Sequence, residues 1–133
     1  MTDAIRLTVP HARAYYGVIR LVLGGLAARH DLSYEELEDI QIALEMLLTD
    51  PYAAGGEVTV EARLGDGAFE VSVGPLDARR LESELARDLD AHDGIGLRRL
   101  LSAVAGGFEV ERRDGGEWVR IRKPLPAAQV EHR

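Results

Sequence analysis

The chain has no cysteine among its 133 residues. That excludes disulfides, a thiol nucleophile and zinc–thiolate coordination. Long apolar runs are also missing. The longest, Leu21 to Ala28, is far too short to span a bilayer, so no membrane partner is expected. The start, Met1-Thr2-Asp3, lacks the basic and apolar regions of a signal peptide, which places the protein in the cytoplasm as an expectation. Cations are in the minority. Sixteen Lys and Arg against 23 Asp and Glu leave a net charge of −7. Binding a nucleic-acid backbone needs clustered Lys and Arg, so that class is set aside. An acidic chain suits a partner with a basic surface, and the same charge also serves solubility. The four histidines, His11, His30, His92 and His132, show no metal-ligand spacing. Ser72, Ser83 and Ser102 stand in no nucleophile-elbow context.

What is present is an ordinary globular composition, 46% hydrophobic and 29% charged, in a chain long enough for one core. A single domain over residues 1–124 and a tail over 125–133 are expected. Ile5, Leu7 and Val9 alternate with polar neighbours and predict a strand that Pro10 ends. His11 to Arg29 carries helical spacing at Ala14, Val18, Leu21, Val22 and Gly25. Gly24-Gly25 inside that helix costs about 1 kcal/mol per glycine relative to alanine. Close packing inside the monomer, or against a second copy, would account for it. Ser33-Tyr34-Glu35-Glu36 is a capping-box pattern, with Ser33 as N-cap and Glu36 at N3. Leu37, Ile40, Leu44, Leu47 and Leu48 form the apolar stripe of this second helix, and Pro51 stops it.

Two alternating segments follow, Val58 to Leu64 and Phe69 to Val73, joined by Gly65-Asp66-Gly67 as a hairpin. Asp77 to Asp93, with Leu81, Leu85 and Leu89 four apart, predicts an acidic amphipathic helix. A fourth helix runs from Leu97 to about Ala105. Phe108 to Arg113 and Trp118 to Lys123 make a second hairpin around Asp114-Gly115-Gly116. Trp118, Tyr15, Tyr16 and Tyr34 read as core or edge aromatics. Hairpins imply antiparallel pairing. The order predicts an α+β two-layer sandwich, helices on one face of a mixed, mostly antiparallel sheet. Between the last two helices, Asp93-Gly94-Ile95-Gly96-Leu97 is a Gly-x-Gly turn opening a helix. Small residues there let phosphates approach the backbone, and the helix start offers free N–H donors. The same pattern also serves as a plain tight turn.

Taken in order, Val18 to Val22, Asp39 to Leu44, Gly94 to Leu97 and Gly115 to Lys123 resemble the Bergerat-fold (GHKL) ATPase superfamily. Within it the likeness is to the short anti-sigma-factor serine kinases, and it extends from about Ile5 to Lys123. The resemblance implies ATP and Mg²⁺ as ligands and three motifs. The first is a glutamate on the second helix, the base or water-orienter, followed four residues later by a Mg²⁺-binding asparagine. Alignment through Ala43 and Thr49 puts Met46 and Asp50 at those positions. Asp50 offers a hard oxygen for Mg²⁺, whereas methionine accepts no proton. Sliding by one residue restores Glu45 and puts Thr49 at the asparagine position. Either way the pair is broken. The second motif is an adenine-reading aspartate after the third strand, where Gly74 stands. The third, the second glycine box, survives as Gly94, Ile95, Gly96 and Leu97.

The candidate residues are therefore Glu45 for catalysis, Asp50 for metal and nucleotide, and Gly94, Ile95, Gly96 and Leu97 for nucleotide. The resemblance implies a homodimeric transcription regulator that binds a sigma factor or an anti-sigma antagonist in bacterial partner switching. Its broken motifs imply weak or lost ATP–Mg²⁺ binding. The alternatives are a working serine/threonine kinase, with Glu45 and Asp50 in adapted roles, and a module binding another small anion at the Gly94 turn. The acidic segment stands in the place of the family's ATP lid, and its leucine stripe predicts a helix that forms without nucleotide.

Overall fold

The structure, a computed structural model, describes residues 3–49, 56–77, 107–113 and 115–125. Strand β1 covers Asp3–Pro10. A single 3-10 turn at Arg13–Tyr15 leads into helix α1, Tyr16–Arg29, and α2 covers Tyr34–Leu48. Strands β2 (Glu57–Gly65), β3 (Ala68–Leu76), β4 (Gly107–Arg113) and β5 (Gly116–Pro124) complete the described elements. The acidic segment beyond Asp77, the Gly-x-Gly turn and the fourth helix lie outside the described residues.

The sheet order is β1-β2-β3-β5-β4, and every pairing among these strands is antiparallel. The two-layer α+β arrangement is as expected, although no parallel pair is found among the described strands. Period-two alternation sends Val58, Val60, Ala62 and Leu64 of β2, Phe69, Val71 and Val73 of β3, and Val119 and Ile121 of β5 to one face. There they meet Ile19, Leu23 and Leu26 of α1 and Ile40, Leu44, Leu47 and Leu48 of α2. Each fully buried Leu, Ile or Phe contributes roughly 1.5–3 kcal/mol relative to exposure. The β2–β3 hairpin turns on Asp66 (φ 54°) and Gly67 (φ 82°). Two positive φ values in a row suit a two-residue Asp-Gly turn whose twist matches the strands.

The capping box is complete. Ser33 Oγ accepts from the Glu36 N–H at 3.1 Å, and Glu36 Oε1 accepts from the Ser33 N–H at 3.2 Å. The first helix departs from expectation at its start. It begins at Tyr16 rather than His11, because Ala12 at the preceding N-cap has no side chain to satisfy the first amides. Gly24 and Gly25 correct a second expectation. A Cβ built at either meets nothing within 4 Å, so no close packing inside the described chain explains them. The helical rotation of 100° per residue groups Gly17, Val18, Leu21, Gly24, Gly25 and Ala28 on the face away from the core. Leu21 there is 77% exposed. No described helix is long and apolar enough to cross a membrane.

Candidate functional site

The second helix is where the resemblance puts the chemistry, so the surroundings of Glu45 and Met46 decide what it can do. Glu45 turns toward α1. Arg20 Nε donates to Glu45 Oε2 at 2.5 Å, and Arg20 Nη1 donates to Gln41 Oε1 at 3.1 Å. Gln41 Nε2 returns a bond to the Arg20 carbonyl at 3.3 Å, and Glu38 lies 3.9 Å from the guanidinium. The hydrogen bond to Glu45 raises the Arg20 pKa above its ordinary value, against a smaller opposing effect of burial. Glu45 keeps 37% of its side chain exposed, and it is through Oε2 that its carboxylate is held against α1.

Met46 is the next residue, rotated by about 100°. It packs its thioether partly buried against the core. It shares a flank of α2 with Asp39, seven residues earlier, whose carboxylate accepts from Lys123 Nζ of β5 at 2.7 Å. The two glutamate registers thus point to different flanks, Glu45 to α1 and Met46 to the side of β5. Thr49, the asparagine position in the slid register, donates its hydroxyl to the Glu45 carbonyl at 2.7 Å. The Leu48 carbonyl at the end of α2 accepts from Tyr16 OH at 2.5 Å and from His11 Nε2 at 2.6 Å. Helix-terminal carbonyls have no partner within the helix. These two side chains supply one and tie the end of α2 to the start of α1. Asp50, Gly94, Ile95, Gly96 and Leu97 lie outside the described residues, so their expected roles stand as expectations.

The end of β3 holds what the sequence did not disclose. Gly74 lies on the sheet face opposite the helices. A Cβ built on it would stand 2.5 Å from Cγ and Cδ2 of Trp118 and 2.8 Å from Cδ1. Trp118 is buried, at 6% exposure, but it is not part of the helix-facing core. Its ring lies under the Arg113 guanidinium, 4.2 Å from the ring centroid. Arg113 in turn pairs with Glu61 at 3.0 Å and Glu111 at 3.1 Å. Arg6 also reaches Glu61, at 3.1 Å, and Arg120 holds Glu109 and Glu111. This outer face is a lattice of alternating Arg and Glu around one tryptophan. An aspartate at position 74 would point into that ring, away from α2. Pattern reading missed Trp118's role because alternation alone does not say which face of a sheet the helices cover.

A ligand touching both α2 and the end of β3 must lie on the helix side of the sheet. There Leu76 is fully buried, and its registered partner on β5 is the buried carboxylate Glu117, paired with Arg112 at 2.9 Å. Among the described residues no group of three or more His, Asp or Glu is placed to hold a metal ion.

No protein-family model matches the chain. Curated proteins do. The serine-protein kinase RsbW of Bacillus subtilis (strain 168) is 34% identical over 147 residues, 98% of this chain and 91% of that protein. The serine-protein kinase RsbW of Bacillus velezensis is 33% identical over the same shares. That of Bacillus pumilus is 29% identical, again over 98% of this chain and 91% of the relative.

Proposed function

We infer the function from one premise: the chain belongs to the serine-protein kinase RsbW family. Its role is that of a regulator acting by protein binding, in bacterial partner switching, on a sigma factor or an anti-sigma antagonist. Its ATP–Mg²⁺ binding is weak or lost, and with it the phosphoryl transfer of its relatives. One observation carries this second part: the Arg20–Glu45 pair. Glu45 is the carboxylate on α2 nearest the family's glutamate position, and it is engaged by a cation on α1. Met46 packs against the core in its stead. The buried Leu76 and the Trp118 ring beside Gly74 support the same reading from the sheet.

Calorimetric titration with ATP, with and without Mg²⁺, tests it. The expected dissociation constant is ~100 µM or weaker, equivalent to about −5.5 kcal/mol. Sub-micromolar, Mg²⁺-dependent affinity overturns the reading and favours a working kinase. The homodimer belongs to this proposal too. The outward face of α1, with Gly24 and Gly25 in open space and Leu21 exposed, supports a second copy packing closely there.

A further inference from the structure

The outer sheet face holds one guanidinium in a setting built for that group. Arg113 stands over the Trp118 ring, its Cζ 4.2 Å from the ring centroid. Its Nη1 donates to Glu61 Oε1 at 3.0 Å, and its Nε donates to Glu111 Oε1 at 3.1 Å. Each carboxylate keeps its other oxygen on a second arginine. Glu61 Oε2 pairs with Arg6 at 3.1 Å, and Glu111 Oε2 pairs with Arg120 at 2.7 Å. These second arginines orient both carboxylates without help from Arg113. Gly74 lies in the bulge that β3 makes between Val73 and Leu76, opposite Val119 and Glu117. It seats the ring, since a Cβ there would stand 2.5 Å from two ring carbons. The indole N–H is buried and has no hydrogen-bond partner among the described residues. A buried tryptophan ordinarily finds one; this one is used for its face. Without Arg113, the carboxylates of Glu61, Glu109 and Glu111 would share only Arg6 and Arg120. An aromatic face, two oriented carboxylates and an unmatched negative charge together select a guanidinium.

We propose that Trp118, Glu61 and Glu111 form a binding site for an arginine side chain of a partner protein, which Arg113 fills as an internal stand-in until that arginine displaces it. Arg113 is the last residue of β4, and a third of its side chain is exposed. Rotation about its own side-chain bonds clears the ring. A guanidinium reaches both carboxylates with its edge while its face stacks on the indole; a lysine ammonium, a compact point charge, does not. A chain of net charge −7 suits a basic partner, and this site gives one of the partner's charges a defined place. The inference rests on the proposed protein-binding role but on no particular partner. Its test probes the site alone, so a failed site leaves that role standing.

Arg113→Ala in the full chain empties the site, and the single tryptophan reports on it by fluorescence. Methylguanidinium should bind this variant saturably, with a dissociation constant of ~1–10 mM. The parent, whose site is filled, should respond at least about tenfold more weakly. Methylammonium should bind the variant at least about fivefold more weakly than methylguanidinium. Equal responses to the two cations, or no saturable response, overturn the site. Adding Glu61→Gln and Glu111→Gln to Arg113→Ala should abolish binding, and unchanged binding overturns the assignment of these carboxylates. A tri-arginine peptide stands for the partner's side chain. Arg113→Ala should tighten its binding at least about fivefold by removing the internal competitor. Arg63→Ala takes the same charge from the same face and should change it by less than about twofold. Equal effects of the two variants overturn displacement, as does methylguanidinium binding with no effect on the peptide. Arg113→Gln, which keeps a polar side chain at the strand end, gives the same readings if Arg113→Ala does not fold.

Discussion

Gly74 and Trp118 make a steric pair whose energy can be measured directly. Gly74→Ala adds one methyl group at 2.5 Å from two ring carbons of Trp118. Those atoms, Cγ and Cδ2, are at the root of a ring held between Gly74 and Arg113, so the ring cannot swing aside freely. Overpacking of this kind costs ~1–3 kcal/mol. With a urea slope of about 2 kcal/mol per molar, a cost of about 2 kcal/mol lowers the unfolding midpoint by about 1 M. Trp118→Ala removes the ring and its cation–π contact, at ~3–5 kcal/mol. The double variant separates clash from mere sensitivity. Without the ring, alanine at 74 meets no obstacle and spares the entropy that glycine loses in a strand, about 0.5–1 kcal/mol. Gly74→Ala should therefore be neutral or slightly stabilising in the Trp118→Ala background, a coupling of about 2–3 kcal/mol. Urea unfolding followed by far-UV circular dichroism reads all four proteins, including those lacking the single tryptophan. The steric argument fails if Gly74→Ala alone lies within about 0.5 kcal/mol of the parent, a change typical of an unconstrained surface site.

Ser33→Ala breaks the capping box at the start of α2 and should cost ~0.5–2 kcal/mol, read as a lowered thermal midpoint; Ser33→Gly should cost only a few tenths. Asp3 joins β1 to the end of α1 by accepting from Arg29 at 2.8 Å and His30 at 2.9 Å. These bonds hold its pKa below the ordinary 3.8. A lowered pKa means fewer protons bound when folded, so this contact stabilises above the ordinary carboxylate range and fades as pH falls through the lowered value. The acid limb of the stability–pH curve should flatten in Asp3→Asn, and an unchanged limb would refute the contact. Multi-angle light scattering at tens of micromolar should give twice the chain mass, and Leu21→Glu, on the exposed α1 face, should return the monomer; a monomeric parent removes the dimer.

Elements whose signals lie within four residues were legible in the chain. The capping box of α2 is closed by Ser33 and Glu36 alone. The Asp66-Gly67 turn needs only its own φ angles, and the alternation of Val58, Val60, Ala62 and Leu64 marks a half-buried strand whatever its partners are. Family membership was readable for the same reason, from short segments in a fixed order. Pairing across distance was not. Arg20 and Glu45 are 25 residues apart, and nothing in either segment says that α1 lies alongside α2 with that flank inward. The bulge at Gly74-Pro75 does not show in β3's own pattern, because a bulge is defined by the count on the opposing strand, here Val119 to Glu117. Trp118 read as a core or edge aromatic; it is buried on the face away from the helices, since alternation assigns residues to two faces without saying which is covered. Local hydrogen bonding and periodicity thus specified the α+β elements and their order. Only tertiary packing decided the strand register and the partner of Glu45, because both depend on groups that lie well apart in the sequence and meet only in the fold.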